Sequence, residues 1–99
     1  MMSMSVRRSK LDLVLGVLHA VGGGVDKPTR IMYAVNLSWR PTQAILGSLV
    51  EQGLLEVFVV AGERRSRRRY GLTEKGQGVL SYFDGAQLLL DVNDIATTQ

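Results

Sequence analysis

The spacing of the apolar residues changes abruptly at Gly53, and this change limits the folds that the chain can adopt. Before Gly53 the apolar residues recur every three to four positions, which is the period of an amphipathic helix. From Leu54 to Val60 they form a nearly continuous run rich in β-branched residues, which is typical of a strand. Helical spacing returns after Thr73. The sequence therefore predicts helices, then a short β-segment, then one more helix.

Three helices are predicted before the strand. The first begins after Ser9, where Asp12 completes a capping box, and ends at three consecutive glycines. The second begins at Pro28, since proline suits a first helical turn, and ends at Asn36. The third spans residues 38–52 and is separated from the second by only a brief turn.

A hairpin and a last helix are predicted after the third helix. Residues 62–69 form the tip of the hairpin, called the wing here, and residues 68–72 return as its second strand. Two short helices joined by a brief turn and followed by a hairpin define a winged helix-turn-helix. The predicted fold class is therefore mainly α with a small β-hairpin, a winged helix-turn-helix with an extra C-terminal helix.

The positive charge of the chain is concentrated in two places. The net charge is only +3, from 12 basic and 9 acidic residues. Residues 63–69 carry +4 and residues 1–10 carry +3, so the rest of the chain is acidic. Five arginines within six positions repel one another, and a polyanion relieves that repulsion while releasing counterions. Because this cluster follows a helix-turn-helix, the sequence predicts double-stranded DNA as the partner.

Four short motifs follow one another in a fixed order. They read KPTRIMY at 27–33, NLS at 36–38, GLL at 53–55 and YGLTEKG at 70–76. In this combination the chain resembles the small archaeal winged helix-turn-helix DNA-binding proteins. The resemblance implies a dimeric transcriptional regulator or chromatin-associated protein that dimerises through the helix after the wing.

The outward residues of the third helix are the candidates for base contacts in the major groove. Arg40 can form paired hydrogen bonds with guanine and Gln43 with adenine. The small residues Ala44 and Gly47 would let the helix approach the bases closely. Contacts to phosphate are predicted for Ser38, Thr42, Lys27, Arg30, Arg64, Arg65, Arg67 and Arg68.

These residues also have ordinary alternative roles. Arg40 and Gln43 can form a solvated helix face, Lys27 can pair with Asp26, and the arginine cluster can be a solvated loop with no partner. If residues 68 and 69 lie on a strand, their side chains alternate and only one of them faces DNA.

The aromatic residues and the single histidine are assigned structural roles. Trp39 is expected to anchor the third helix half-buried, with base stacking as the alternative. Tyr33 and Tyr70 are expected at the edge of the core, and His19 on the solvated side of the first helix. With one histidine and no cysteine, a metal site is not expected.

An apolar stripe on the last helix is predicted to form a homodimer. A two-fold protein would match a two-fold operator. The alternative is that the stripe folds back onto the first helix. The stripe consists of Val79, Tyr82, Phe83, Ala86, Leu89 and Leu90.

Catalytic and membrane functions find no support in the sequence. The glycines at 22–24 lack the rest of a P-loop, and no Gly-x-Ser-x-Gly elbow is present, so an enzyme, a cofactor or a small-molecule ligand is not expected. No apolar run approaches ~18 residues, the length needed to span a membrane. The N-terminus lacks the apolar stretch of a signal peptide, so a cytoplasmic location is expected.

The sequence thus predicts a double-stranded DNA-binding dimer, with the helix of residues 38–52 in the major groove and the wing on the phosphate backbone. The alternatives are a protein-interaction module that docks on an acidic partner and a chromatin-coating protein without sequence specificity. The expected organisation is a flexible basic arm (1–8), the winged domain (9–72), a dimerisation helix (73–92) and a frayed tail (93–99).

Overall fold

The computed structural model describes residues 9–62 and 68–89, which form four helices and one antiparallel hairpin. This order confirms the predicted fold class. The basic arm, the tail and residues 63–67 of the wing lie outside the described residues. In chain order the elements are α1 (Lys10–Gly22), α2 (Pro28–Val35), α3 (Trp39–Glu51), β1 (Leu55–Val59), β2 (Arg68–Leu72) and α4 (Glu74–Leu89).

The helix ends follow from local chemistry. The Ser9 hydroxyl accepts the Asp12 N–H at 3.1 Å and the Asp12 carboxylate accepts the Ser9 N–H at 3.3 Å, which confirms the capping box of α1. Asn36 adopts the left-handed conformation, with φ 56° and ψ 51°, and so ends α2. Three residues later α3 begins, which completes the helix-turn-helix.

The C-terminus of α3 closes in a Schellman motif. Gly53 has φ +78°, a conformation that side chains rarely adopt. Its N–H donates to the Val50 carbonyl at 3.0 Å, and the Leu54 N–H donates to the Leu49 carbonyl at 2.9 Å. The chain thereby reverses from α3 directly into the hairpin.

The two strands pair with β1 residue 57 opposite Tyr70 and residue 59 opposite Arg68. On the other side of β2, the Tyr70 N–H donates to the Asp26 carbonyl at 2.9 Å, so the connection between α1 and α2 lies along that edge. Among the described residues, β1 has β2 as its one strand neighbour. Its exposed side chains include Val57, Phe58 and Val59.

The core lies where the helix-turn-helix meets the hairpin and the start of α4. The helices α1, α2 and α3 all contribute to it, and α4 contributes through Leu80. The buried apolar residues are Val17, Leu18, Val21, Ile31, Val35, Leu46, Leu49, Leu54, Leu55, Tyr70 and Leu80.

The two ends of α4 differ in their surroundings. Its first half packs on the domain, where Leu80 is buried close to the end of α1. In its last turn Ala86, Gln87, Leu88 and Leu89 are all exposed. The helix therefore extends past the body of the domain. Within residues 9–62 and 68–89, no helix is long and apolar enough to cross a membrane.

Candidate nucleic-acid interface

One side of α3 is buried and the other is open to solvent. The buried side consists of Thr42, Leu46 and Leu49. Because residues three and four apart lie above one another on a helix, the exposed residues form a continuous line along the outer side. This line, called the α3 face here, consists of Arg40, Ala44, Gly47 and Glu51, with Gln43 exposed on its flank.

The middle of the α3 face has almost no side-chain volume. A Cβ added to Gly47 would meet no atom within 4 Å, so packing inside the domain does not require a glycine there. Ala44 is exposed one turn earlier. The backbone of α3 is therefore accessible to a surface that approaches from outside.

The prediction that Thr42 contacts phosphate is wrong. Thr42 is 0% exposed, and its hydroxyl donates to the Ser38 carbonyl at 2.8 Å. Its position four residues before Leu46 places it on the apolar side of α3, a spacing that the sequence already contained. Ser38 itself is exposed at the N-cap position, and its hydroxyl makes no capping hydrogen bond.

The basic residues of α2 lie at its first turn. Lys27 is the N-cap residue and is partly buried, whereas Arg30 is exposed. Across the described ranges no ion pair joins Lys27 to Asp26, so that alternative is not formed.

The two described arginines of the hairpin differ in their exposure to solvent. Arg68 is exposed, whereas Arg69 is only 7% exposed and its guanidinium donates to the Arg68 carbonyl at 2.9 Å. This is the alternation expected of neighbouring residues on a strand. Arg64, Arg65 and Arg67 lie outside the described residues.

An open groove of about 420 Å³ separates the α3 face from the hairpin. Arg68 lines this groove together with residues from the second half of α3. The two elements predicted to contact DNA, α3 and the hairpin, therefore border one continuous surface. Its lining residues are Gly47, Val50, Glu51, Val57, Val59, Arg68 and Tyr70.

The burial of the aromatic residues agrees with the prediction for some and differs from it for Tyr33. Trp39 is 42% exposed, the half-buried state expected of it, and Tyr70 is buried in the core. The prediction for Tyr33 is wrong, because it is 77% exposed on the outer side of α2. Its spacing of two from Ile31 and Val35, both buried, is the signal that could have placed it outward.

Residues at the start of α4 contact the three residues that follow α3, a contact that the sequence did not suggest. Thr73, Lys75 and Gly76, called the α4 clamp here, lie against the consecutive carbonyls of residues 52–54. The Lys75 ammonium donates to the carbonyl of residue 52 at 2.9 Å. The Thr73 hydroxyl lies 2.6 Å from the carbonyl oxygen of residue 53 and 3.0 Å from that of residue 54, and it accepts the Gly76 N–H at 3.0 Å.

Some residues of the predicted dimer stripe pack on the domain and others are exposed to solvent. Val79 packs against the core and Phe83 is partly buried, in edge-to-face contact with the exposed Tyr82 at 5.4 Å between ring centres. Ala86 is exposed, and Leu89 is 90% exposed. Leu88, which the stripe omitted, is 87% exposed, and Leu90 lies outside the described residues.

The middle of α4 contacts α1, as the alternative to dimerisation supposed. Nε2 of His19 lies 3.2 Å from a carboxylate oxygen of Asp84, so His19 faces α4 although about half of its side chain is exposed. The fold-back on α1 therefore involves the middle of α4 and leaves its last turn open. Across the described residues, no group of three acidic or histidine side chains could hold a metal ion.

A helix-turn-helix followed directly by a hairpin, with both bordering one open surface, defines the chain as a winged-helix domain. The sequence model of the winged helix-turn-helix family matches residues 7–90. The chain therefore belongs to the winged helix-turn-helix family.

Individual proteins agree with this assignment. The uncharacterized protein MJ0287 of Methanocaldococcus jannaschii is 29% identical over 76% of this chain and 69% of its own length. Sso10a-2, a DNA-binding protein from Sulfolobus solfataricus, superposes with a TM-score of 0.69 at 19% identity, covering 92% of this chain and 90% of that one. Streptococcus pneumoniae FabT, solved in complex with DNA, gives 0.70 at 16% identity, covering 95% and 68%.

Proposed function

We propose that this chain binds double-stranded DNA as a homodimeric transcription regulator. In the proposed complex α3 lies in the major groove and the wing lies on the phosphate backbone. The observation that carries the proposal is the α3 face, which is exposed along its length, nearly free of side-chain volume in the middle, and adjacent to an arginine-rich hairpin. Sso10a-2 is a DNA-binding protein and FabT was solved in complex with DNA, which supports the same partner for this chain.

The α3 face has the chemistry to read bases. Arg40 carries two parallel donors that match the O6 and N7 acceptors of guanine, and Gln43 carries the donor and acceptor that match adenine. Ala44 and Gly47 let the helix backbone come near the groove floor. Ser38 lies at the N-terminus of α3, where backbone N–H groups and the helix dipole favour a phosphate.

The basic residues around this face would position the complex without reading its sequence. Arg30 and Lys27 at the start of α2, Arg68 on β2 and the arginines of the wing supply contacts to phosphate. Each phosphate contact releases counterions, so affinity should fall steeply with salt.

Binding to duplex DNA is tested by titrating the full chain with duplexes of random sequence over a range of salt concentrations. We expect log K to fall linearly with log salt, with a slope of about −0.9 for each phosphate contacted. Absence of salt-sensitive binding at low ionic strength would refute the proposal and favour an acidic protein partner. Equal affinity for every sequence after selection would instead indicate a chromatin-coating protein.

Replacing Arg40 by Ala should reduce sequence preference. Losing a bidentate contact to guanine costs about 1–3 kcal/mol, so the ratio of affinities for a selected duplex and a random duplex should fall by about 5- to 150-fold. Arg40→Lys is the matched control for charge, because lysine keeps the cation and loses the bidentate geometry. If Arg40→Ala weakens both duplexes equally, Arg40 contacts phosphate and does not read bases.

Dimerisation is proposed to use the exposed end of α4, within the predicted dimerisation helix of residues 73–92. Leu88 and Leu89 together form an apolar surface that a second copy could cover. Replacing both by Glu should convert the dimer to a monomer in sedimentation analysis, and the variant should keep the circular dichroism spectrum of the folded domain, because neither side chain is part of its core. Gln87→Glu adds charge in the same turn without removing apolar surface, and it should remain dimeric. A double variant that stays dimeric would contradict this interface.

A further inference from the structure

The α4 clamp lies at the junction of three elements with different proposed roles. It joins residues 52–54, which directly follow α3, to the start of α4, at the point where the chain enters the hairpin. The helix α3 is proposed to read DNA and α4 is proposed to dimerise. The donors lie about 20 residues along the chain from their acceptors, with separations of 19, 20 and 23 residues. The clamp is therefore a tertiary contact and not a local cap.

The contact is chemically well matched. The carbonyl of residue 52, the C-cap of α3, is one of the helix-end carbonyls that lack partners within the helix and carry partial negative charge, and the Lys75 ammonium satisfies it. The carbonyls of residues 53 and 54 follow the helix, and the Thr73 hydroxyl lies within hydrogen-bonding distance of both. Gly76 allows the close approach, because a Cβ at that position would overlap the Leu54 carbonyl oxygen. The Thr73 N–H also donates to that oxygen at 3.2 Å. The segment that follows α3 is thus held by several hydrogen bonds to residues at the start of α4.

We infer that Thr73 and Lys75 are positioning residues for DNA binding, which fix the angle between α3 and α4. This inference rests on the proposed function. In a two-fold complex the two copies of α3 must match half-sites about 34–36 Å apart. The angle between α3 and α4 in each copy determines the distance between the two copies of α3, and therefore whether both enter the major groove. The 13 residues of α3 extend about 20 Å, so a tilt of about 10° at the C-terminus of α3 displaces its N-terminus by about 3 Å. Such a displacement would take Arg40 out of hydrogen-bonding range of a base.

The test uses paired variants of the full chain. Lys75→Met and Thr73→Val remove the donors at similar side-chain size, whereas Lys75→Arg and Thr73→Ser retain them. In the free protein, hydrogen exchange at the amides of Gln52, Gly53 and Leu54 should be faster in the first pair only. Affinity for a selected duplex should fall about fivefold in Lys75→Met, with an unchanged salt slope, and should stay within about twofold of wild type in Lys75→Arg.

The salt slope separates positioning from direct contact. If Lys75→Met lowers the slope by about 0.9, Lys75 touches a phosphate and the inference is overturned. Unchanged exchange or unchanged affinity in both donor-lacking variants would also overturn it. A wild-type protein that binds no duplex would refute the proposed function and the inference together, whereas normal wild-type binding with unaltered variants would refute the inference alone.

Discussion

Replacing Gly76 by Ala should destabilise the domain by about 3 kcal/mol, which is a large share of the stability of a chain this small. The added Cβ would overlap the Leu54 carbonyl oxygen and lie 2.7 Å from Cδ1 of Leu72. Leucine could adjust its rotamer, but the carbonyl belongs to a backbone that the Thr73 hydroxyl and N–H hold in place. Urea unfolding followed by circular dichroism would measure the loss as a lower midpoint.

The same helix supplies a matched control. A Cβ at Gly78, two residues further on, would meet no atom within 4 Å. Gly78→Ala should therefore stabilise the domain by about 0.5–1 kcal/mol, because alanine loses less conformational entropy than glycine in a helix. If both substitutions shift the midpoint in the same direction, helix propensity dominates and the close approach at Gly76 is not the determining contact.

Replacing Arg64, Arg65 and Arg67 together by Ala should weaken binding to every duplex by about 10²–10³-fold near 0.1 M salt. Three lost phosphate contacts remove about 0.9 log unit each at that concentration and should make the salt slope shallower by about 2.7. Because phosphate contacts carry no sequence information, the preference for a selected duplex over a random one should be retained. Fluorescence anisotropy at several salt concentrations would measure both quantities.

The control for this variant is the triple replacement of the same three residues by Lys. It keeps the charge, so the salt slope should remain close to that of the wild type. If the alanine variant binds with unchanged slope, the wing lies away from the DNA, and the acidic-partner alternative for the arginine cluster becomes the better hypothesis.

Much of the fold could be predicted because its boundaries depend on neighbouring residues. Ser9 and Asp12 cap α1 through bonds three residues apart, and Asn36 and Gly53 end helices through their own backbone conformation. The hairpin follows from the switch in apolar spacing. Signals of this kind are contained within a few consecutive positions and can be read from the chain directly.

The residues whose positions differ from the prediction depend on contacts between distant parts of the chain or on exact helical phase. Residue type predicts a phosphate contact for Thr42 and a core-edge position for Tyr33, whereas their helical spacing from buried residues determines their burial. Gly76 looks unfavourable within a helix, and only its approach to Leu54 explains it. Val79 and Leu88 are apolar residues of the same helix, and the periodicity does not indicate where that helix leaves the body of the domain.

The free edge of β1 has a consequence for solubility. Val57, Phe58 and Val59 are exposed on a strand that has no second neighbour among the described residues, and such an edge is a template for pairing with another chain. The arginine cluster begins four residues after Val60, so a second strand that paired with β1 would come near concentrated positive charge. Charged residues close to an edge strand are one of the means by which proteins oppose such pairing. We therefore expect the arginines to limit aggregation, and the lysine triple variant should stay soluble at concentrations where the alanine variant precipitates.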